Sequence, residues 1–141
     1  MESILEQSMV EQLLPQKAPF VMVDKLFSFK ENEITAGLKV IEGNIFVENG
    51  KFAEPGIIEH MAQSVALYTG YQFHLLNEPA PTGYIGSIKD VEIVQLPNVG
   101  DELVTEVSVL QEFMGITLVN IATSIDGVLI AKSQMKTVLA K

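Results

Sequence analysis

The stretch EPGIIEHMAQSVALYTGYQFHLL, residues 54–76, predicts the element around which the rest of the chain is arranged. Between positions 57 and 76, apolar side chains occupy more than one helical stripe, so we expect a long helix that protein encloses on most sides. Pro55 suits the first helical turn, where its missing N–H would have had no partner. Pro79 and Pro81 follow the stretch and are expected to end the helix.

The segment before this helix predicts a short helix and two strands. Residues 3–14 have the apolar spacing of an amphipathic helix, and Pro15 ends it. Residues 20–29 and 31–41 have the composition of two strands joined by a polar turn. Residues 42–54 break the pattern with glycines and asparagines, so we expect an irregular loop there.

Only β-structure is expected after the long helix. Three or four strands are predicted over 84–95, 102–113, 116–125 and 128–140, with an Asp-Gly pair that suits a type I′ hairpin between the last two. An antiparallel sheet buries one face, and the enclosed helix is the only element able to cover it. We therefore predict one α+β domain over residues 1–141 with the hot-dog fold, in which an antiparallel sheet wraps around one long central helix.

Composition excludes several classes of function. The net charge is −9 and all nine cations are lysines, which argues against a nucleic-acid-binding face. The absence of cysteine excludes disulfides, thiolate zinc sites and a cysteine nucleophile. No apolar run of about 18 residues is present and the start MESILEQ is not basic, so we expect a cytoplasmic protein without a membrane partner. A mean hydropathy of +0.28 favours a dimer that hides apolar surface.

Four motifs resemble the bacterial 3-hydroxyacyl-ACP dehydratases of the hot-dog superfamily. LLPQKAPFVMVD (13–24) is similar to their opening pattern L-L-P-H-R-x-P-F-L-L-V-D, and IIEHMAQS (57–64) is similar to the helix that carries their catalytic Glu. SIKDVEIVQLPNVGDELVTEVSVL (87–110) and IDGVLIAKSQM (125–135) resemble the strands that follow. The resemblance covers nearly the whole chain and is closest to dehydratase-like proteins of aryl-polyene-type pathways.

This resemblance implies a lyase that acts on a 3-hydroxyacyl thioester in fatty-acid or polyene synthesis. The acyl group is carried on the phosphopantetheine of ACP or CoA, and no metal or other cofactor is needed. The family's helix carboxylate, here Glu59, protonates the departing β-hydroxyl, while a loop histidine of the other protomer removes the α-proton. Peptide N–H groups at the helix start polarise the thioester carbonyl, which assigns substrate binding to Gly56 and its neighbour Ile57.

The chain departs from the family in lacking the loop histidine. NIFVENGKFAE (44–54) contains none, and both histidines of the chain, His60 and His74, lie on the long helix. Gln16 stands where the first motif of the family usually has histidine. Two arrangements stay open: a homodimer that pairs Glu59 of one protomer with His60 of the other, or a heterodimer in which a paralogous hot-dog subunit supplies the base.

Each candidate residue also has a structural interpretation. Glu59 could be a helix-start carboxylate stabilised by the helix dipole. His60 could be a packing or interface histidine, since adjacent helical side chains diverge by about 100°. Gln63, one turn beyond Glu59, could orient the carboxylate, contact the thioester or anchor a buried helix. Gly56 could equally allow close backbone packing.

Two further functions stay open besides dehydration. An acyl-CoA or acyl-ACP thioesterase would use Glu59 to activate water without any histidine. A non-catalytic partner subunit of a dehydratase heterodimer would need neither residue. The only plausible docking points for an acidic carrier protein are the four lysines 17, 25, 51 and 89, which argues against strong ACP binding by this chain alone.

Overall fold

The computed structural model describes residues 2–140 and confirms the predicted order of elements. The elements are α1 (Gln7–Leu13), β1 (Lys25–Lys30), β2 (Glu33–Lys39), β3 (Val47–Glu48), β4 (Lys51–Phe52), α2 (Glu54–Leu75), β5 (Gly83–Ile93), β6 (Glu102–Phe113), β7 (Ile116–Ile125) and β8 (Val128–Leu139). The long helix α2 has 22 residues. Across the described residues, no helix is both long and apolar enough to span a bilayer.

Six strands form one antiparallel sheet in the order β1-β2-β6-β7-β8-β5. Along β6, β7 and β8, buried and exposed residues alternate, so one face of the sheet points toward α2. Leu103, Val119, Ile121 and Met135 pack from this inner face into the core. The α+β hot-dog fold, a sheet wrapped around one central helix, is therefore confirmed.

Helix α2 is stabilised by Pro55 near its start, by a closing turn at its end and by burial of most of its circumference. It begins at Glu54 with Pro55 in the first turn, where no N–H partner is needed. It ends at Leu75, and the left-handed residue Asn77 (φ 57°) follows, with Glu78 N–H donating to Phe73 O and Asn77 N–H donating to His74 O. This arrangement supplies partners for carbonyls that the last turn would otherwise leave free.

Three boundaries differ from the sequence prediction. Helix α1 begins at Gln7 instead of residue 3, because Leu5 pairs through its backbone with Leu26 as an extended segment. Strand β1 begins at Lys25 instead of residue 20. The loop predicted over 42–54 contains the hairpin β3–β4, whose turn residues Asn49 and Gly50 both have positive φ (51° and 77°), as a type I′ turn requires.

Candidate active site

Glu59 lies in the second turn of α2, partly buried, and lines a pocket of about 420 Å³. The pocket lies between the end of α1, one face of α2 and the strands β5 and β8. Side chains lining it include Leu13, Gln16, Ala62, Ala66, Thr69, Tyr84, Ile85 and Leu139. Among the described residues, Glu59 is the only carboxylate that lines this pocket. From Glu59 to Thr69 the helix face runs about 15 Å, at 1.5 Å per residue.

Gln63 fixes the orientation of Glu59. Its side chain is fully buried, and its Nε2 donates hydrogen bonds to Glu59 Oε2 (2.7 Å) and to Phe20 O (2.8 Å). Its Oε1 accepts from Met22 N–H at 2.6 Å. The carboxamide is thereby fully engaged, and one oxygen of Glu59 is tied to the helix while the other is left for the pocket. The spacing of four residues places the two side chains on one helix face, as the sequence suggested.

His60 faces the core and not the pocket. The residue has no exposed surface; its Nδ1 lies 2.6 Å from Met22 O and its Nε2 lies 2.8 Å from Thr105 Oγ1. Because a carbonyl can only accept, Nδ1 carries the proton, and Nε2 accepts from the Thr105 hydroxyl. Thr105 Oγ1 is in turn 2.7 Å from Thr123 Oγ1.

Burial lowers the pKa of the His60 imidazole to about 4, and the hydrogen bond to Met22 O opposes this only in part. The ring is therefore neutral at neutral pH, and both of its nitrogens have partners within its own chain. The expectation that His60 acts as a base across a dimer axis does not fit this placement, because the ring is enclosed within its own chain.

Gly56 and Ile57 also lie away from the pocket. A Cβ at Gly56 would come within 2.7 Å of Phe46 and Phe52, so the glycine permits close packing of the helix start on these rings. The N–H groups of Gly56 and Ile57 both donate to Ala53 O, at 2.9 and 3.3 Å, and Ile57 is fully buried. Their predicted role as free donors for a thioester carbonyl does not fit this geometry.

The pocket therefore offers one oriented carboxylate, and no imidazole of the described chain accompanies it. The second histidine, His74, is exposed near the far end of α2 and does not line the pocket. Within residues 2–140, no group of His, Cys, Asp or Glu side chains could hold a metal ion. Such a site can donate or accept one proton. For a reaction that needs both an acid and a base, the second group must come from outside the described chain.

Sequence reasoning missed most of the pocket wall. Ala62, Ala66 and Thr69 are small side chains spaced along the face of α2 that carries Glu59, a pattern that would have indicated a groove beside the helix. Gln16 was noted only as a departure from the family motif. A larger groove of about 640 Å³ lies on the outer face of the sheet, lined by polar side chains of β5–β8, and it contains none of the predicted site residues.

Known proteins share both the sequence pattern and this architecture. The family model of ApeP-like proteins, described as ApeP dehydratase, matches residues 8–140. The 3-hydroxyacyl-[acyl-carrier-protein] dehydratase FabZ of Vibrio atlanticus is 31% identical over 137 residues, which cover 90% of this chain and 88% of the relative. FabZ of Clostridium botulinum is 29% identical over 150 residues that cover 100% of both chains.

Among solved structures, a chain of the dehydratase heterocomplex ApeI:P from Xenorhabdus doucetiae has a TM-score of 0.87 at 19% identity, covering 94% of this chain and 91% of that one. The Streptococcus mutans protein smu.793, bound to acetyl CoA, has a TM-score of 0.69 at 12% identity over 90% of this chain and 95% of that one. These likenesses agree with the hot-dog fold.

Fold and sequence together define a hot-dog protein of the dehydratase class, a 3-hydroxyacyl-ACP dehydratase-like lyase. The chain belongs to the ApeP-like dehydratase family, whose model matches nearly its whole length.

Proposed function

We propose that the chain is the acid-bearing subunit of a dehydratase that removes water from a 3-hydroxyacyl group carried on phosphopantetheine. The observation that carries this proposal is Glu59, held by Gln63 at 2.7 Å and lining a pocket long enough for an acyl chain. The curated relatives that it resembles are named as 3-hydroxyacyl-[acyl-carrier-protein] dehydratases, which supports this substrate class.

In the reaction, a base takes the α-proton of the acyl group while Glu59, as a carboxylic acid, donates a proton to the β-hydroxyl. The β-carbon–oxygen bond breaks, water leaves, and the electron pair of the former α-C–H bond forms the double bond. Glu59 ends as a carboxylate and the base ends protonated, so proton exchange restores both. Gln63 holds the carboxyl group in place throughout through Oε2.

The base comes from a partner subunit in this proposal. His60 is enclosed in the core and His74 is remote from the pocket, so neither is placed to take the α-proton. A hot-dog subunit that keeps a histidine in the loop before its central helix would supply the missing group. The solved neighbour from Xenorhabdus doucetiae is itself a heterocomplex of dehydratase chains, which supports such an assembly.

Strand β5 is the surface where this partner would bind. It is the last strand of the sheet, and almost all of its residues are exposed, including Ile85 and Ile88 at 41% and 42%. Exposed strand edges carry unpaired N–H and C=O groups that a second strand can satisfy. Because Tyr84 and Ile85 of β5 also line the pocket, a subunit paired with β5 would stand beside Glu59.

The net charge of the chain also supports separate roles for the two subunits. A chain of net charge −9 without arginine offers little attraction to an acidic carrier protein. The partner subunit would therefore provide the cationic surface for an acyl-ACP, and this chain would provide the acid and part of the acyl pocket.

The experiment measures three preparations: this chain alone, a hot-dog partner with an intact loop histidine alone, and the two copurified. Each receives a 3-hydroxyacyl thioester, and both enoyl absorbance and free thiol are followed. We expect enoyl product from the complex, little from this chain alone and no thiol release. Thiol release by this chain alone would instead identify a thioesterase, and full-rate dehydration by the partner alone would leave this chain without a catalytic role.

A further inference from the structure

Gln16 places a carboxamide in the pocket of Glu59. Its side chain lines the same 420 Å³ pocket, and its Oε1 is buried without a hydrogen-bond partner among the described residues. An unpaired buried acceptor is destabilising, so native proteins rarely leave one without a reason. The amide of Gln63 cannot serve as the partner, because Glu59, Phe20 and Met22 already engage it.

The position of Gln16 is fixed by close packing of α1 on α2. A Cβ at Gly70 would lie 2.4 Å from the carbonyl oxygen of Leu13, so the two helices approach each other as closely as only glycine allows. Leu14 is buried in the core directly after this contact. Gln16 follows two residues later, so this packing fixes the position of its backbone at the pocket wall. A polar side chain that starts from a fixed backbone position is an element of preorganised recognition.

We propose that Gln16 Oε1 accepts a hydrogen bond from the β-hydroxyl of the bound 3-hydroxyacyl group. This inference rests on the proposed function, and it adds the residue that distinguishes a hydroxylated acyl chain from a saturated one. A hydroxyl group is both acceptor and donor. Its oxygen accepts the proton of Glu59, and its own O–H needs an acceptor on the other side, which is what the unpaired Oε1 of Gln16 offers. When the bond to carbon breaks, the same acceptor holds the departing water.

The test compares two probes of equal chain length bound to the complex of this chain with its partner subunit. Both are acyl-pantetheine analogues in which an amide replaces the thioester, so that no α-proton is lost, and only one carries the 3-hydroxyl group. By titration calorimetry, we expect the native complex to bind the hydroxylated probe roughly tenfold more tightly, the equivalent of one good hydrogen bond. Gln16→Leu should lower this ratio severalfold, and the hydrogen bond from Glu59 should account for any preference that is left. The control Gln7→Leu, an exposed glutamine on α1, should leave the ratio unchanged.

Thermal unfolding separates recognition from a structural role. Gln16→Leu removes an unpaired buried acceptor, so the free protein should be at least as stable as the native chain. A lower unfolding temperature for Gln16→Leu would mean that the amide has a structural partner, and this would overturn the proposal. An equal loss of affinity for both probes would also overturn it, because the contact would then involve the pantetheine arm.

The experiment distinguishes a failure of the role proposed for Gln16 from a failure of the proposed dehydratase function. If the complex dehydrates the thioester substrate but Gln16→Leu keeps the tenfold ratio, only the role of Gln16 fails. If the native complex neither dehydrates the substrate nor prefers the hydroxylated probe, both proposals fail together.

Discussion

Gln63 joins helix α2 to the segment before β1 through one carboxamide. It holds Glu59 on α2 and accepts from the backbone of Met22 in the segment that leads into β1, while it donates to Phe20 O. Asp24 N–H donates to Gly37 O of β2, but residues 20–23 are not paired with a strand, so the strand predicted from residue 20 begins only at Lys25. The side chain on the helix replaces a neighbouring strand as the hydrogen-bond partner.

Replacing Gln63 with leucine should therefore weaken both activity and stability. The carboxylate of Glu59 loses its orienting donor, so kcat should fall about tenfold or more while KM changes little, as expected for a positioning residue. The Met22 N–H is left buried and unpaired, which costs about 1–3 kcal/mol of unfolding free energy. Steady-state kinetics and urea unfolding measure the two effects. Gln72→Leu, nine residues further along the helix, is the control, and equal losses in both variants would contradict the assignment.

His60 makes stability depend on pH. Because burial lowers its folded-state pKa from 6.5 to about 4, the unfolded chain binds the proton more readily between these values. This contribution is fully present above pH 6.5 and is lost as the pH falls toward 4. From pH 7.5 to pH 5 it amounts to about 2 kcal/mol.

His60→Gln lacks this titration, so its unfolding free energy should fall less over the same range, by about that amount. Denaturant unfolding of both proteins at matched concentration measures the difference. Parallel pH profiles for the native chain and the variant would show that His60 is not the group responsible.

Prediction from sequence succeeded at the residue scale where local spacing determines geometry. The separation of four residues between Glu59 and Gln63 was sufficient to bring them together on one helix face. Helical spacing also predicted that the side chains of His60 and Glu59 point in different directions. It did not predict which of them faces the core, because α2 is apolar on most sides. The pairing of His60 with Met22 and Thr105 depends on contacts 38 and 45 residues apart, which no local pattern encodes.

At the scale of elements, alternation and turn chemistry predicted three or four strands after α2, and the structure has four. The hairpin predicted at Asp126-Gly127 is present, and both residues have positive φ (49° and 80°). The hairpin β3–β4 escaped prediction because each of its strands has only two residues, too few to show a period. The start of α1 also escaped, since residue 5 pairs with residue 26 in a backbone contact that its side chain does not reveal.

Strand β5 is the element whose exposure calls for a partner. Ile88 lies opposite Met135 of β8, on the inner face of the sheet, yet it is 42% exposed because β5 is the last strand. Placing a charge there should prevent a second subunit from covering it, since burying an unpaired carboxylate is costly. Ile88→Glu should therefore weaken assembly at least about tenfold, the equivalent of about 1.4 kcal/mol.

Sedimentation velocity over a concentration series measures this effect. Val128→Glu is the matched control, because Val128 is 60% exposed at the β7–β8 turn, away from the edge of β5. If Ile88→Glu and Val128→Glu assemble equally well, β5 is not the interface.

At the scale of the whole molecule, the fold was predictable because the chain has one long apolar helix and a series of antiparallel strands. Few arrangements bury the apolar surface of the helix and the apolar face of the sheet together. The site was less predictable, because its pocket is built from the end of α1, the middle of α2 and the edge of β5. These parts come together only through tertiary packing, and the helix contact at Gly70 is what aligns two of them. The proposed base lies further still from what this sequence can predict, because in the proposed mechanism another chain supplies it.

We propose that Glu59 is the acid of a site that a second subunit completes. Glu59→Gln in the reconstituted complex tests this role through the rate at which a 3-hydroxyacyl thioester is dehydrated, with Glu54→Gln, a change at an exposed carboxylate of the same helix, as control. We predict that Glu59→Gln lowers kcat by about 10²–10⁴-fold while the complex stays assembled, and that Glu54→Gln keeps the native rate. An intact Glu59→Gln complex that dehydrates at the native rate would contradict the claim.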